Sequence, residues 1–216
     1  MLGFLNRLLG RAQGVPEQAV AEPEPLDRAD VVHQIHVLAR GGFHSEVSAL
    51  TAVVEDYLDP DRLDPEDRRW VEAEVERAFE TKRADEAVWP AITDFDRLVA
   101  AFDALTATGI VALHRAGYTR SDGISDAWEV YHQGREEGVE ARGFAFYHGQ
   151  DVEAVGDGGL YLAFGAFDER DEMARRIGGE IVSAVEAQGL GTRWEGDVDT
   201  RILIWPIDWR KRSPVD

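Results

Sequence analysis

The sequence predicts an α+β protein: a helical N-terminal lobe, then a mixed sheet of about five strands with helices packed mainly on one face. Three observations lead there. Apolar residues recur at helical spacing from Leu26 to Trp89. Two glycine-bounded, aromatic-rich runs, Gly143–Tyr147 and Leu160–Phe167, have the length and composition of buried strands. Shorter strand-like runs at Ile110–Leu113, Thr192–Glu195 and Arg201–Ile207 are interleaved with strongly periodic helical stretches.

In chain order, Met1–Gly14 places Leu2, Leu5, Leu8 and Leu9 at helical spacing beside Phe4, with Arg7 and Arg11 on the remaining surface. The apolar part is too short for a signal peptide. Two readings stand: a terminal helix docked on its own core, or an amphipathic helix touching a membrane or partner. Val15–Pro25 is rich in proline and glutamate and reads as an extended tether. The lobe, residues 26–92, begins with a helix whose stripe is Val31, Val32, Ile35 and Leu38 and which stops at Gly41-Gly42. Ser45 caps a second helix, with Val47, Leu50, Val54 and Tyr57 pointing one way. Asp64-Pro65 starts a third, striped by Trp70, Val71, Val75, Ala78 and Phe79, and Trp89-Pro90 closes the lobe.

The α+β domain, residues 93–212, opens on the best helix of the chain. Thr93 caps it, Asp96 sits at the third position, and Phe95, Leu98, Val99, Phe102 and Leu105 form its stripe. After the strand Ile110–Leu113, Tyr118–Ser125 reads as a loop around the tight-turn pair Asp122-Gly123, with a helix capped by Asp126 beyond it. Asp168–Gln188 is a further helix, and Gly178-Gly179 within it suggests a close approach to the sheet. Trp205-Pro206 places a proline in the last strand, which predicts an edge or a bulge there.

Composition narrows function. Acidic side chains number 42 against 23 basic, a net charge of −19. Such a chain repels a phosphate backbone, so nucleic-acid binding is disfavoured, and a basic protein partner, or no charged partner, fits better. The absence of cysteine removes disulfides, thiol nucleophiles and cysteine-ligated metals, and fits the cytoplasm. No apolar run reaches a membrane-spanning length. There is no P-loop, dinucleotide fingerprint, zincin helix or nucleophile elbow, and no cofactor is expected. His33 and His36 lie one helical turn apart near Asp30 and His44, but the usual helical metal pair is four residues apart.

The candidate chemistry lies between the two aromatic strands, in His148-Gly149-Gln150-Asp151. His148 at a strand end can act as a general base or metal ligand, Asp151 can orient it, and Asp122 with Tyr118 can complete a polar pocket. The competing reading is structural: Asp151 caps a short helix, His148 bonds a backbone group, and Asp122 is a turn residue.

With these residues in view, Asp94–Arg210 resembles an uncharacterised bacterial domain family common in actinomycetes. The motifs that carry the likeness are TDFDRLVAAFDALTATGIVAL, GYTRSDG, FAFYHGQD, GLYLAFGAF and the ending Trp194-Glu195-Gly196, Arg201-Ile202 and Asp208-Trp209-Arg210. The resemblance implies no established activity. Sequences that look related carry a cysteine pair near Tyr118–Asp126, where this chain has SDG; a metal shared with them is therefore not thiolate-bound here. The sequence thus supports an acidic cytoplasmic interaction or regulatory module, with a hydrolytic, metal-assisted enzyme using His148 and Asp151 as the alternative.

Overall fold

A computed structural model describes residues 26–61, 63–157 and 159–215. The N-terminal amphipathic segment and its tether lie outside the described residues. The chain forms an α+β fold, with N-terminal helices followed by a mixed five-stranded sheet.

In the lobe, α1 (Arg28–Gly41) starts where the Asp27 carboxylate accepts from the backbone N–H groups of Ala29 and Asp30. It stops at Gly42, whose φ of +75° favours glycine. A Cβ there would also lie 2.3 Å from the Lys211 carbonyl oxygen. Ser45 caps α2 (Glu46–Thr51) through a reciprocal box with Ser48. The helix then widens into a π-helical turn over Ala52–Tyr57, closed by Leu58 N–H donating to the Val53 carbonyl at 2.9 Å. The buried side is Ala49, Val53 and Val54, while Val47 is 62% and Tyr57 44% exposed. The expected stripe holds at Leu50 and Val54 and fails at Val47 and Tyr57: the small Ala49 lies against the core, and the widened turn changes the register beyond it. Pro65 opens α3 (Pro65–Glu86) behind the Asp64 cap, as expected. Val71, Val75, Ala78 and Phe79 of α3 bury against Val31, Ile35 and Ala39 of α1.

In the second part, Thr93 and Asp96 form a capping box at the start of α4 (Asp94–Ala107). Then come β1 (Ile110–Leu113), α5 (Arg120–Glu136), β2 (Gly143–Phe146), α6 (Gly149–Ala154), β3 (Leu160–Ala166), α7 (Asp171–Ala187), β4 (Thr192–Arg193) and β5 (Ile202–Ile204). The sheet order is β1-β2-β3-β5-β4. β1 and β2 are parallel, with α5 as the crossover that parallel pairing requires, and the other pairs are antiparallel.

Side chains alternate across the sheet. Ile110, Ala145, Leu160, Leu162, Phe164, Ile202 and Ile204 face α4 and α7. Phe144, Phe146, Ala163 and Phe167 face the other way, with Ala127 of α5. Gly178 does mark a close approach: a Cβ there would lie 2.5 Å from Trp194.

Two expectations are corrected. Tyr118–Ser125 is not a loop, because α5 begins at Arg120 and takes in Asp122 and Gly123. The last strand is not an edge: β5 pairs with both β3 and β4, and it ends at Ile204, before the proline.

The lobe and the sheet domain meet along a seam. Arg40 donates to the Glu153 carbonyl at 2.7 Å. Trp209 Nε1 donates to the Gly41 carbonyl at 3.2 Å. The Lys82 ammonium bridges the carbonyls of Ala39 and Lys211. Lys211 Nζ lies 4.7 Å and 5.0 Å from the ring centroids of Phe43 and Phe95, a cation–π arrangement.

Candidate functional site

The C-terminal ends of the parallel strands β1 and β2 place two helix starts side by side. Ala116 N–H donates to the Tyr147 carbonyl at 2.9 Å, continuing the strand pairing beyond β1. Gly149 and Gln150 N–H then donate to the carbonyls of Gly117 and Tyr118. A Cβ on Gly149 would lie 2.7 Å from the Tyr118 ring, so this close approach requires glycine.

His148 leaves the sheet here and caps α6. Its Nδ1 accepts the backbone N–H of Asp151 at 3.3 Å, and Asp151 Oδ2 accepts the backbone N–H of His148 at 3.1 Å. This is a capping box with histidine in the place of serine or threonine. The carboxylate at the third helical position also favours the helix dipole. The cap was expected at Asp151 and belongs to His148.

A neutral imidazole has one acceptor nitrogen. The cap uses Nδ1, which leaves the proton on Nε2, 3.2 Å from Asp151 Oδ2. Arg201 Nη1 donates to Asp151 Oδ1 at 2.7 Å. The same Arg201 nitrogen lies 3.4 Å from His148 Nε2. Two donors face each other there, so we read that approach as a contact and not a bond. Burial lowers the His148 pKa, opposed by Asp151 and assisted by Arg201 and Arg120. His148 and Asp151 are both buried.

Asp122 serves α5 as Asp151 serves α6. It accepts the backbone N–H of Thr119 at 2.9 Å, and Thr119 Oγ1 accepts from Asp122 N–H at 3.4 Å. The hydrogen bonds from Thr119 hold the Asp122 carboxyl below its ordinary range. Tyr118 is exposed and donates to Glu153 Oε2 at 3.1 Å. The structure thus brings His148, Asp151 and Asp122 to one junction, Asp122 on the surface of a helix. It adds Arg201, which the sequence offers only as part of a family motif. Chemically, the junction can orient an imidazole and neutralise a buried carboxylate.

A second polar pair lies behind it. Tyr147 Oη and His114 Nδ1 share a hydrogen bond at 2.9 Å among Phe102, Phe95 and Trp209. Burial lowers the His114 pKa to about 4 and pushes that of Tyr147 well up. The pair is neutral at ordinary pH, and in sequence its only trace is a histidine following a short strand.

Three depressions among the described residues are lined by none of His148, Asp151, Asp122 and Arg201. A groove of about 540 Å³ runs beside β1 between the ends of α4 and α5. One of about 170 Å³ lies on the seam by Lys82 and Trp209. One of about 30 Å³ lies beside His44 and Arg115. Among the described residues, no three His, Cys, Asp or Glu groups stand close enough to hold a metal, and the exposed His33 and His36 gain no third ligand. No described helix is long and apolar enough to cross a membrane.

No curated protein and no solved structure matches the chain. A family does match, over residues 24–213, which takes in the helical lobe as well as the stretch from Asp94 where the resemblance was read. The chain therefore belongs to the family described as Domain of unknown function (DUF6891).

Proposed function

We propose that the chain is an acidic cytoplasmic interaction module that regulates or neutralises a basic protein partner. The observation that carries this reading is the closure of the candidate site. The acceptor nitrogen of His148 and both oxygens of Asp151 are engaged within the protein, which supports a structural role for the pair over a catalytic one. The charge of −19 supplies the attraction for a cationic surface.

The test is affinity capture of the full chain from native lysate at about 0.05 M and about 0.5 M salt, conditions between which a Debye length shortens roughly threefold. A stoichiometric partner of high isoelectric point, held at low salt and released at high salt, supports the reading. Recovery of no such partner, or of one indifferent to salt, counts against it.

A further inference from the structure

The two edges of the sheet are built differently. At one edge β4 is two residues long and includes Arg193, and shortness and charge are common devices against unwanted strand pairing. At the other edge β1 reads Ile-Val-Ala-Leu, uncharged and free of proline, in unbroken register with β2. Among the described residues, none outside its own ladder hydrogen-bonds to the β1 backbone. Covering by a helix or loop is one device that protects a bare apolar edge of this kind.

The groove beside β1 has the chemistry of a covered surface. Val130, 41% exposed, and Val139, 58% exposed, stand on its walls with Ala107, Val111 and Leu113. Its charged lining residues are Glu137 and Glu140, both acidic.

We propose that this groove seats the chain's own N-terminal segment, Met1–Gly14, as a short amphipathic helix lying over the β1 edge. Leu2, Phe4, Leu5, Leu8 and Leu9 supply apolar anchors at the spacing by which helices dock in grooves. Arg7 and Arg11 match the acidic rim. The segment holds no acidic residue, so its side chains sum to +2 in a chain of −19. Reach is sufficient in the same molecule. The tether Val15–Pro25 spans up to about 36 Å when extended, comparable with the roughly 40 Å diameter of a body of this length. This inference does not depend on the basic partner proposed above.

The full chain has no cysteine, so Asn6→Cys gives a single attachment point for a benzophenone maleimide. Photolysis of an equal mixture of ¹⁵N-labelled and unlabelled protein, followed by peptide mapping, locates the segment. Adducts on residues 106–113 and 130–141, formed within one chain, are the expected result. The charge-reversing pair Arg7→Glu/Arg11→Glu, which leaves the described fold untouched, lowers their yield at least about fivefold, as expected if most of the docking free energy needs the acidic rim. Val130→Asp/Val139→Asp, at exposed positions, does the same with an unchanged unfolding curve. Adducts elsewhere, no adducts, or yields indifferent to both pairs overturn the proposal. Adducts only between differently labelled chains also overturn it, since the occupant is then a second copy.

Discussion

A protonated His148 would turn an N–H toward the N–H of Asp151, so the α6 cap exists only while Nδ1 is bare. Its pKa is lowered on folding, so the unfolded chain binds the proton more readily. The stability it contributes is present above the unfolded value of 6.5 and is lost as pH falls below it. His148→Ala is expected to cost about 1–2 kcal/mol at pH 7.5, in the range of lost caps. His148→Asn restores a capping oxygen without the titration, so it should stay within about 0.5 kcal/mol and lose the acid sensitivity. Urea unfolding at several pH values measures both. His114 follows the same sign over pH 6.5 to about 4. Replacing the pair together, His114→Phe with Tyr147→Phe, leaves no orphaned polar group. That double variant should remove on the order of 2 kcal/mol of acid destabilisation, allowing for solvent screening at a partly exposed ring. The polar junction was legible in the sequence because its groups are contiguous. The direction of the cap was not, since histidine is outside the usual capping set. Nor was the position of Arg201, which reaches Asp151 from 50 residues away.

At the scale of elements, the capping rule succeeded at Thr93-x-x-Asp96 and was missed at Thr119-x-x-Asp122, although the pattern is the same. The neighbouring Gly123 drew the second one toward a turn. Its place in α5 is set by tertiary contact: a Cβ there would lie 2.3 Å from Phe146 Cε2 and 2.9 Å from the Ala116 carbonyl oxygen. Alanine ordinarily stabilises a helix by about 1 kcal/mol over glycine. Gly123→Ala is nevertheless expected to destabilise by about 1–3 kcal/mol, because the overpacking is against a buried ring and backbone. A shift in the urea midpoint of that sign checks it, and a more stable variant would refute the contact argument. Strands β1, β2 and β3 were legible to within about one residue because aromatic and branched runs bounded by glycine mark them. The interior position of β5 was not, since pairing order is a property of the whole sheet.

On the scale of the whole molecule, two helical starts, a sheet and a lobe are joined by few but specific bonds. The run of helices before Trp89-Pro90 was readable as a pattern distinct from the strands and helices after it. The seam was not, because its partners, such as Gly41 and Trp209, are separated by 168 residues. Trp209→Ala removes a hydrogen bond to the α1 terminus and ring contacts with Phe43, Phe95 and Tyr147. It is expected to cost about 2–3 kcal/mol, less than a fully buried tryptophan. It should also separate the melting of the lobe from that of the sheet domain in calorimetry; a single sharp transition at an unchanged temperature would show that the seam contributes little.

That seam also bears on how the chain comes off the ribosome. Nearly every residue of the three apolar clusters has been translated before Trp209, Lys211 and Ser213 are made. These late residues supply the clasp to Gly41, Lys82 and Glu86. The alignment of lobe and sheet therefore depends on a handful of residues near the C-terminal end of the described chain, together with the Arg40–Glu153 contact.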